Sequence, residues 1–255
     1  MKKYKVSSIE DNTHFLITRS YRELYKTFKG LKTRKGKIIH VIGAPGTGKS
    51  ANIYYALENA DLDVYDINFD LKDVNASSRQ VFDALFETVA EDLNVKSKEE
   101  IYEKLSKYDA VLIADNFHDS HFFGEKPVGF SKWTDKKGFK TFYFYLLCIR
   151  EYLKHRKEFK KINIIFQTAW RVYIRGEKYD IFSDFGPFST FIKIILKIFF
   201  QGVEISYSQM ETINIVKMHI ENADEVIIKK YIQKYGLKPR FICNALENEL
   251  GLLEQ

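Results

Sequence analysis

The sequence predicts an α/β protein, a parallel sheet covered by helices on both faces, followed by a small all-helical unit. Three observations predict it. Short apolar runs rich in β-branched residues, KIIHVI (37–42), VYDINFDL (64–71), YDAVLIAD (108–115) and KINIIFQT (161–168), read as strands buried on both faces. Segments with apolar residues at helical spacing separate them. From about Ser208 onward strands stop and helical segments follow one another, which divides the chain into an α/β part (1–206) and a helical part (207–255).

The elements follow in order. Residues 20–31 (SYRELYKTFKGL) place Tyr21, Leu24, Tyr25 and Phe28 on one helical face, with Gly30 near the end. The strand 37–42 follows, then a glycine-rich turn and a helix at 51–60. After VYDINFDL, residues 80–93 carry Val81, Leu85, Phe86 and Val89 at helical spacing. YDAVLIAD ends in a carboxylate and opens onto a polar, glycine-bearing loop at 119–138. Residues 141–161 (TFYFYLLCIREYLKHRKEFKK) read as one long amphipathic helix with a basic end. The stretch 188–200 (FSTFIKIILKIFF) is too short to span a bilayer and carries Lys193 and Lys197, so it reads as a half-buried helix. METINIVKMHI, EVIIKKYIQKYG and PRFICNALENEL complete the helical part.

Composition narrows the class. The 255 residues are 45% hydrophobic and 29% charged, as in globular proteins. Forty Lys+Arg against 34 Asp+Glu leave +6, an excess that permits contact with nucleic acid without requiring it. Residues 1–37 alone hold eleven basic and three acidic residues. Four Pro and 13 Gly argue against long linkers. Cys148 and Cys243 stand alone in apolar settings, which excludes a disulfide framework or a zinc site built from them. A reducing, cytoplasmic compartment is expected. The start, MKKYKVSSIEDN, has no apolar core of a secretory signal, and no membrane partner is expected.

The sharpest motif is Gly43-Ala44-Pro45-Gly46-Thr47-Gly48-Lys49-Ser50, a complete G-x-x-x-x-G-K-[ST] between strand and helix. Glycines let successive N–H groups converge as an anion nest at the positive end of a helix. Lys49 is placed to meet β- and γ-phosphates, the Ser50 hydroxyl to ligate Mg²⁺, and Ala51 opens the helix that follows. ATP with Mg²⁺ is the expected cofactor. Such a loop needs a carboxylate on a neighbouring strand for the metal, and Asp115 closes the run 108–115. The next residue is Asn116, which cannot accept a proton and so argues against fast hydrolysis, with Asp119 as a substitute base. His118 and His121 flank Asp119 without the spacing or partners of a metal site, and read as loop residues.

With these motifs the chain resembles the AAA+ ATPases, in the branch of DnaA and the archaeal origin-recognition proteins, initiators and helicase loaders. Ile17-Thr18-Arg19-Ser20-Tyr21-Arg22-Glu23-Leu24 looks like the family's entry segment. Gln167-Thr168 is similar to the sensor 1 position, and Gly236-Leu237-Lys238-Pro239-Arg240 to the sensor 2 motif. The resemblance implies that Gln167 monitors the γ-phosphate and that Arg240 reaches back from a helical lid. Ile181-Phe182-Ser183-Asp184-Phe185-Gly186 resembles the segment that bears the arginine finger, but Asp184 holds the arginine's place; Arg171 or Arg175 would have to serve. The small core rich in Lys, Ile, Phe and Tyr is similar to DnaA-like proteins of archaeal viruses and plasmids, which would place the chain in a host cytoplasm.

The resemblance implies Mg-ATP-driven assembly on DNA in replication initiation or helicase loading, with copies of the chain or a replication protein as partners. About 48 residues follow Tyr207, too few for a winged-helix reader. Any contact with double-stranded DNA is therefore expected to be non-specific, through the N-terminal basic region or through Lys154, Arg156, Lys157, Lys160 and Lys161. Asn116 and Asp184 favour a second reading, a nucleotide-dependent switch or adaptor with little turnover. A DNA-packaging or transposition ATPase shares the same loop; a kinase fits the helical tail less well.

Overall fold

The computed structural model describes residues 15–66, 73, 75–107, 111–114, 140–168, 171–174, 177–221 and 223–249. Its centre is a five-stranded, all-parallel sheet of β1 (Ile38–Ile42), β2 (Val64–Asp66), β3 (Val111–Ala114), β4 (Asn163–Thr168) and β7 (Gln201–Glu204). Its order is β2-β3-β4-β1-β7. β1 is therefore flanked by β4 and β7, and the chain crosses over it between those two strands.

Alternate residues of each strand feed two cores, because successive side chains point to opposite faces. Ile39, Val41, Val111, Ile113, Ile165 and Val203 face α1 (Arg19–Lys29) and α2 (Lys49–Asn59). Tyr65, Leu112, Ile164 and Phe166 face α3 (Ser78–Leu93), α4 (Lys98–Lys107) and α5 (Lys140–Lys154). Both faces are apolar, as the runs in the sequence require. In α1 the buried Tyr21, Leu24 and Phe28 occupy the face expected of them, and burying Leu24 and Phe28 completely stabilises by roughly 2 kcal/mol each. Thr18 caps this helix by accepting from the Tyr21 N–H.

Several boundaries differ from the reading of the sequence, each for a visible reason. α3 begins at Ser78 because Ser77 and Gln80 form a reciprocal capping box. The helix α4 was not expected, although Ser97 accepts from the Glu100 N–H and Glu100 accepts from the Lys96 N–H in a similar pairing. The long helix 141–161 is broken: α5 stops at Lys154, His155 leaves helical geometry, and the short α6 (Arg156–Phe159) follows. His155 is buried, stacks on Tyr102 at 4.5 Å and lies 3.3 Å from Glu151. An antiparallel hairpin of β5 (Arg171–Ile174) and β6 (Glu177–Asp180) was likewise not foreseen.

α7 (Pro187–Phe199) leads into β7 and is half-buried, as its composition suggested. Leu196 packs with Ile42 and Phe182, while Phe188, Phe191, Ile194 and Ile198 are exposed. Past β7 come α8 (Gln209–His219), α9 (Glu225–Tyr235) and α10 (Pro239–Glu249). They share their own core of Ile213, Val216, Ile220, Ile228, Ile242, Cys243 and Leu246. Among the described residues no helix is long and apolar enough to cross a membrane.

Candidate functional site

The loop 43–50 leaves the C-terminal end of β1 and enters α2. Its turn depends on glycine: Gly46 and Gly48 adopt φ of 81° and 68°, the left-handed region that β-carbons disfavour. Crowding adds to this, since a β-carbon on Gly43 would stand 2.7 Å from the Ile205 carbonyl oxygen. Thr47 closes the turn by donating its N–H and its hydroxyl to the Ala44 carbonyl, at 3.3 and 2.8 Å.

Lys49 and Ser50 are both buried. The Lys49 ammonium donates to the carbonyls of Gly43 (2.9 Å) and Ala44 (3.3 Å), so the cation is held over the loop itself. The Ser50 hydroxyl donates to Gln167 Oε1 at 2.9 Å. Strand register explains that contact: β1 and β4 pair Val41 with Gln167 and Ile42 with Thr168, which brings the end of β4 beside the loop. Gln167, buried, is thus joined to the serine expected to ligate magnesium.

The helical part reaches the same place. The Arg240 N–H donates to the Gly46 carbonyl at 3.2 Å, and the Phe241 ring lies 3.4 Å from where a Gly46 β-carbon would be. The first turn of α10 therefore sits on the loop, with Pro239 buried and Arg240 exposed. A second tie lies at the start of α8. Glu211 accepts from the Arg19 N–H (3.0 Å) and the Ser208 N–H (2.8 Å), while Ser20 Oγ donates to the Ser206 carbonyl (2.7 Å). Burial pushes the Glu211 carboxyl up, but the Ser208 and Arg19 hydrogen bonds outweigh it and hold the carboxyl below its ordinary range.

Two residues of this junction escaped the sequence reading. Asn52, one turn into α2 and buried, donates through Nδ2 to the Gly48 carbonyl and to the Tyr207 hydroxyl, each at 2.8 Å. Its Oδ1 is buried with no hydrogen-bond partner among the described residues. An asparagine in the helix behind the loop is the only cue, and nothing local couples it to Tyr207.

Asp115, Asn116, His118, Asp119, His121 and Arg175 lie outside the described residues; Ala114, the last described residue of β3, pairs with Phe166. Arg171 opens β5, and its side chain is outside the description. Asp184 is bound into a local turn, accepting from the Asp180 N–H and the Ser183 hydroxyl, both at 2.7 Å. Burial pushes the Cys148 and Cys243 thiols up to about 12, so neither is a ready nucleophile. No metal-binding cluster of His, Cys, Asp and Glu occurs among the described residues.

The residues fit a nucleotide's phosphates. Gly43 leaves no room for a side chain, Gly46 and Gly48 supply the left-handed turn, Lys49 and Ser50 lie at the loop's base, and the start of α2 directs its amides there. No protein-family model matches this chain, and no curated protein matches it.

Proposed function

We propose that the chain is an ATP-binding ATPase of the AAA+ kind, in which the helical part acts as a lid over loop 43–50. The observation that carries this reading is the loop itself: eight matched residues, left-handed at Gly46 and Gly48, with Lys49 and Ser50 buried at its base and the first turn of α10 resting on it. Lys49 would hold the β- and γ-phosphates, Ser50 with Asp115 the magnesium, and Gln167 and Arg240 would respond to them. ATP supplies a transferable phosphoryl group and the free energy of its release. What the protein would contribute is position: Gln167, now bonded to Ser50, would take new partners, and α10, now bonded to Gly46, would shift on the loop.

Replication initiation or helicase loading, with assembly on DNA, is the process favoured by the resemblance. A second reading, a switch or adaptor with little turnover, is supported by Asn116 after Asp115 and by Asp184, whose carboxylate serves a turn where the family offers an arginine. A packaging or transposition ATPase is the third.

The test is ATP binding and turnover by the purified chain, with and without double-stranded DNA, beside Lys49→Ala. Binding is expected to weaken about a hundredfold in the variant, near 3 kcal/mol, because a charge-assisted contact to phosphate is removed. Turnover raised by DNA and lost in the variant would favour the initiator or motor readings. Binding without turnover would favour the adaptor. Equal ATP affinity in both proteins would overturn all three.

A further inference from the structure

We propose that the opposite end of the sheet is a docking surface for the phosphate backbone of duplex nucleic acid, engaged without regard to sequence. The proposal deepens the DNA-directed part of the reading above by naming the surface, but it rests on charge and geometry that involve no nucleotide.

Two basic segments far apart in sequence meet there. The first is the connection from α1 to β1, with Lys29, Lys32, Arg34, Lys35 and Lys37; the second runs through α6 to β4, with Arg156, Lys157, Lys160 and Lys161. Asn163, buried at the start of β4, joins them. Its Nδ2 donates to the carbonyls of Arg34 (2.8 Å) and Leu31 (3.3 Å), and its Oδ1 accepts from the Lys37 N–H (3.0 Å). Gly36, at φ 71°, lies so close to Lys160 that a β-carbon would come within 2.4 Å of its carbonyl oxygen. The two loops are thus held in one arrangement by backbone contacts, and their cations project from it.

Beside this junction is a cavity of about 240 Å³ lined by Lys26, Arg34 and Lys37, with Thr27 and Gln201. Gly30 and Leu31 complete the lining, and Lys26, Arg34 and Lys37 gather three cations around it. Lys32 is bridged to Asp61 at 3.0 Å, whereas Lys26, Arg34, Lys37, Lys160 and Lys161 have no carboxylate partner among the described residues. The cations span the entrances of β7, β1 and β4, two strand spacings or about 10 Å across. That span matches a run of several phosphates, whose charges recur about every 3.4 Å of axis on each strand.

Leu153 and Ile198 are exposed beside these cations, so an anionic lipid surface is the competing occupant that the vesicle arm of the test addresses. Lys26 and Lys29 stand in the last turn of α1, and the other cations lie in loops and the one-turn α6, an arrangement that favours contact with the phosphate backbone over base reading. β1 separates this end from loop 43–50 by about 13 Å, so nucleotide and nucleic acid can be held at once.

The experiment is fluorescence anisotropy of a labelled 25-base-pair duplex with the full chain, without nucleotide, at several salt concentrations. Two duplexes of unrelated sequence are expected to bind equally, with micromolar affinity near 0.1 M salt. Lys26→Gln, Arg34→Gln and Lys37→Gln together should weaken binding about tenfold and reduce the slope of log K against log salt by about 2 to 3. Lys157→Gln, Lys160→Gln and Lys161→Gln should act alike and provide a second variant from the other segment. Lys229→Gln, Lys230→Gln and Lys234→Gln on α9 remove the same charge elsewhere and should change affinity less than twofold. Equal weakening by all three triples, absence of duplex binding, or binding of phosphatidylserine vesicles in preference to duplex would overturn the proposal. Lys49→Ala should bind duplex as the parent does, so loss of the nucleotide reading and loss of this one remain distinguishable.

Discussion

At the C-terminal end of β1, the groups proposed to meet phosphate come from consecutive residues and from backbone geometry; at its N-terminal end, they come from side chains on segments joined across 126 residues by Asn163. The first end is buried, with Lys49 bound over its own loop, and it carries a helical layer that meets it at Gly46. The second is exposed and has no such layer among the described residues. On the proposed reading one end changes shape with its ligand, because a helical layer rests on its loop, while the other is fixed by Asn163 and by the approach of Gly36 to Lys160. A movable site suits a discrete ligand that must be enclosed, and a fixed charged surface suits a polymer that only needs to be followed.

The fixed end can be broken most sharply at Gly36. Gly36→Ala places a β-carbon against the Lys160 carbonyl and requires a left-handed φ, and should cost about 3 kcal/mol of stability, read from urea unfolding. A cost below about 1 kcal/mol would mean that the loop moves off Lys160 freely, and that this end is no more fixed than the other.

The movable end should respond to Phe241. Phe241→Ala removes the ring that lies on Gly46 and should raise the Kd for ATP about fivefold, near 1 kcal/mol, by isothermal titration. Duplex affinity should stay within twofold of the parent. If both affinities fell together, the two ends would be coupled and the contrast between them would fail.

The same contrast governs what could be read in advance. Loop 43–50, its strand and its helix are set by neighbours in sequence, so residue types and spacing revealed them. α1 was legible because Tyr21, Leu24 and Phe28 repeat at its period. α4 was missed although Ser97 and Glu100 carried a capping signal, which shows a cue overlooked. The break at His155 is a different case. Stacking on Tyr102 and proximity to Glu151 stop a helix whose local sequence would continue it, and only the packed structure contains that information. Gln167 was placed near the phosphates by resemblance, yet its bond to Ser50 follows from the β1–β4 register, which no single strand specifies. The union of the two basic segments is of the same kind. Each was visible as a charge run, but Asn163, which joins them, reads as an ordinary polar residue in a strand.

A comparable effect concerns how the helical part is anchored. Glu211 closes a capping box with Ser208 and reaches across to the Arg19 N–H, so one carboxylate serves the start of α8 and the start of α1. Glu211→Gln keeps the shape and removes the charge, and should cost about 1 kcal/mol at pH 7 by urea unfolding. The hydrogen bonds hold the folded carboxyl below its ordinary value of 4.5, so their contribution is present above that value and is lost as pH falls through the lowered one. The gap between parent and variant should therefore be constant at neutral pH and close below about pH 4.5. A gap that persists in acid would assign the loss to the amide's geometry rather than to charge. The anchor would then be a matter of fit alone, and the helical part would be held to α1 equally at every pH.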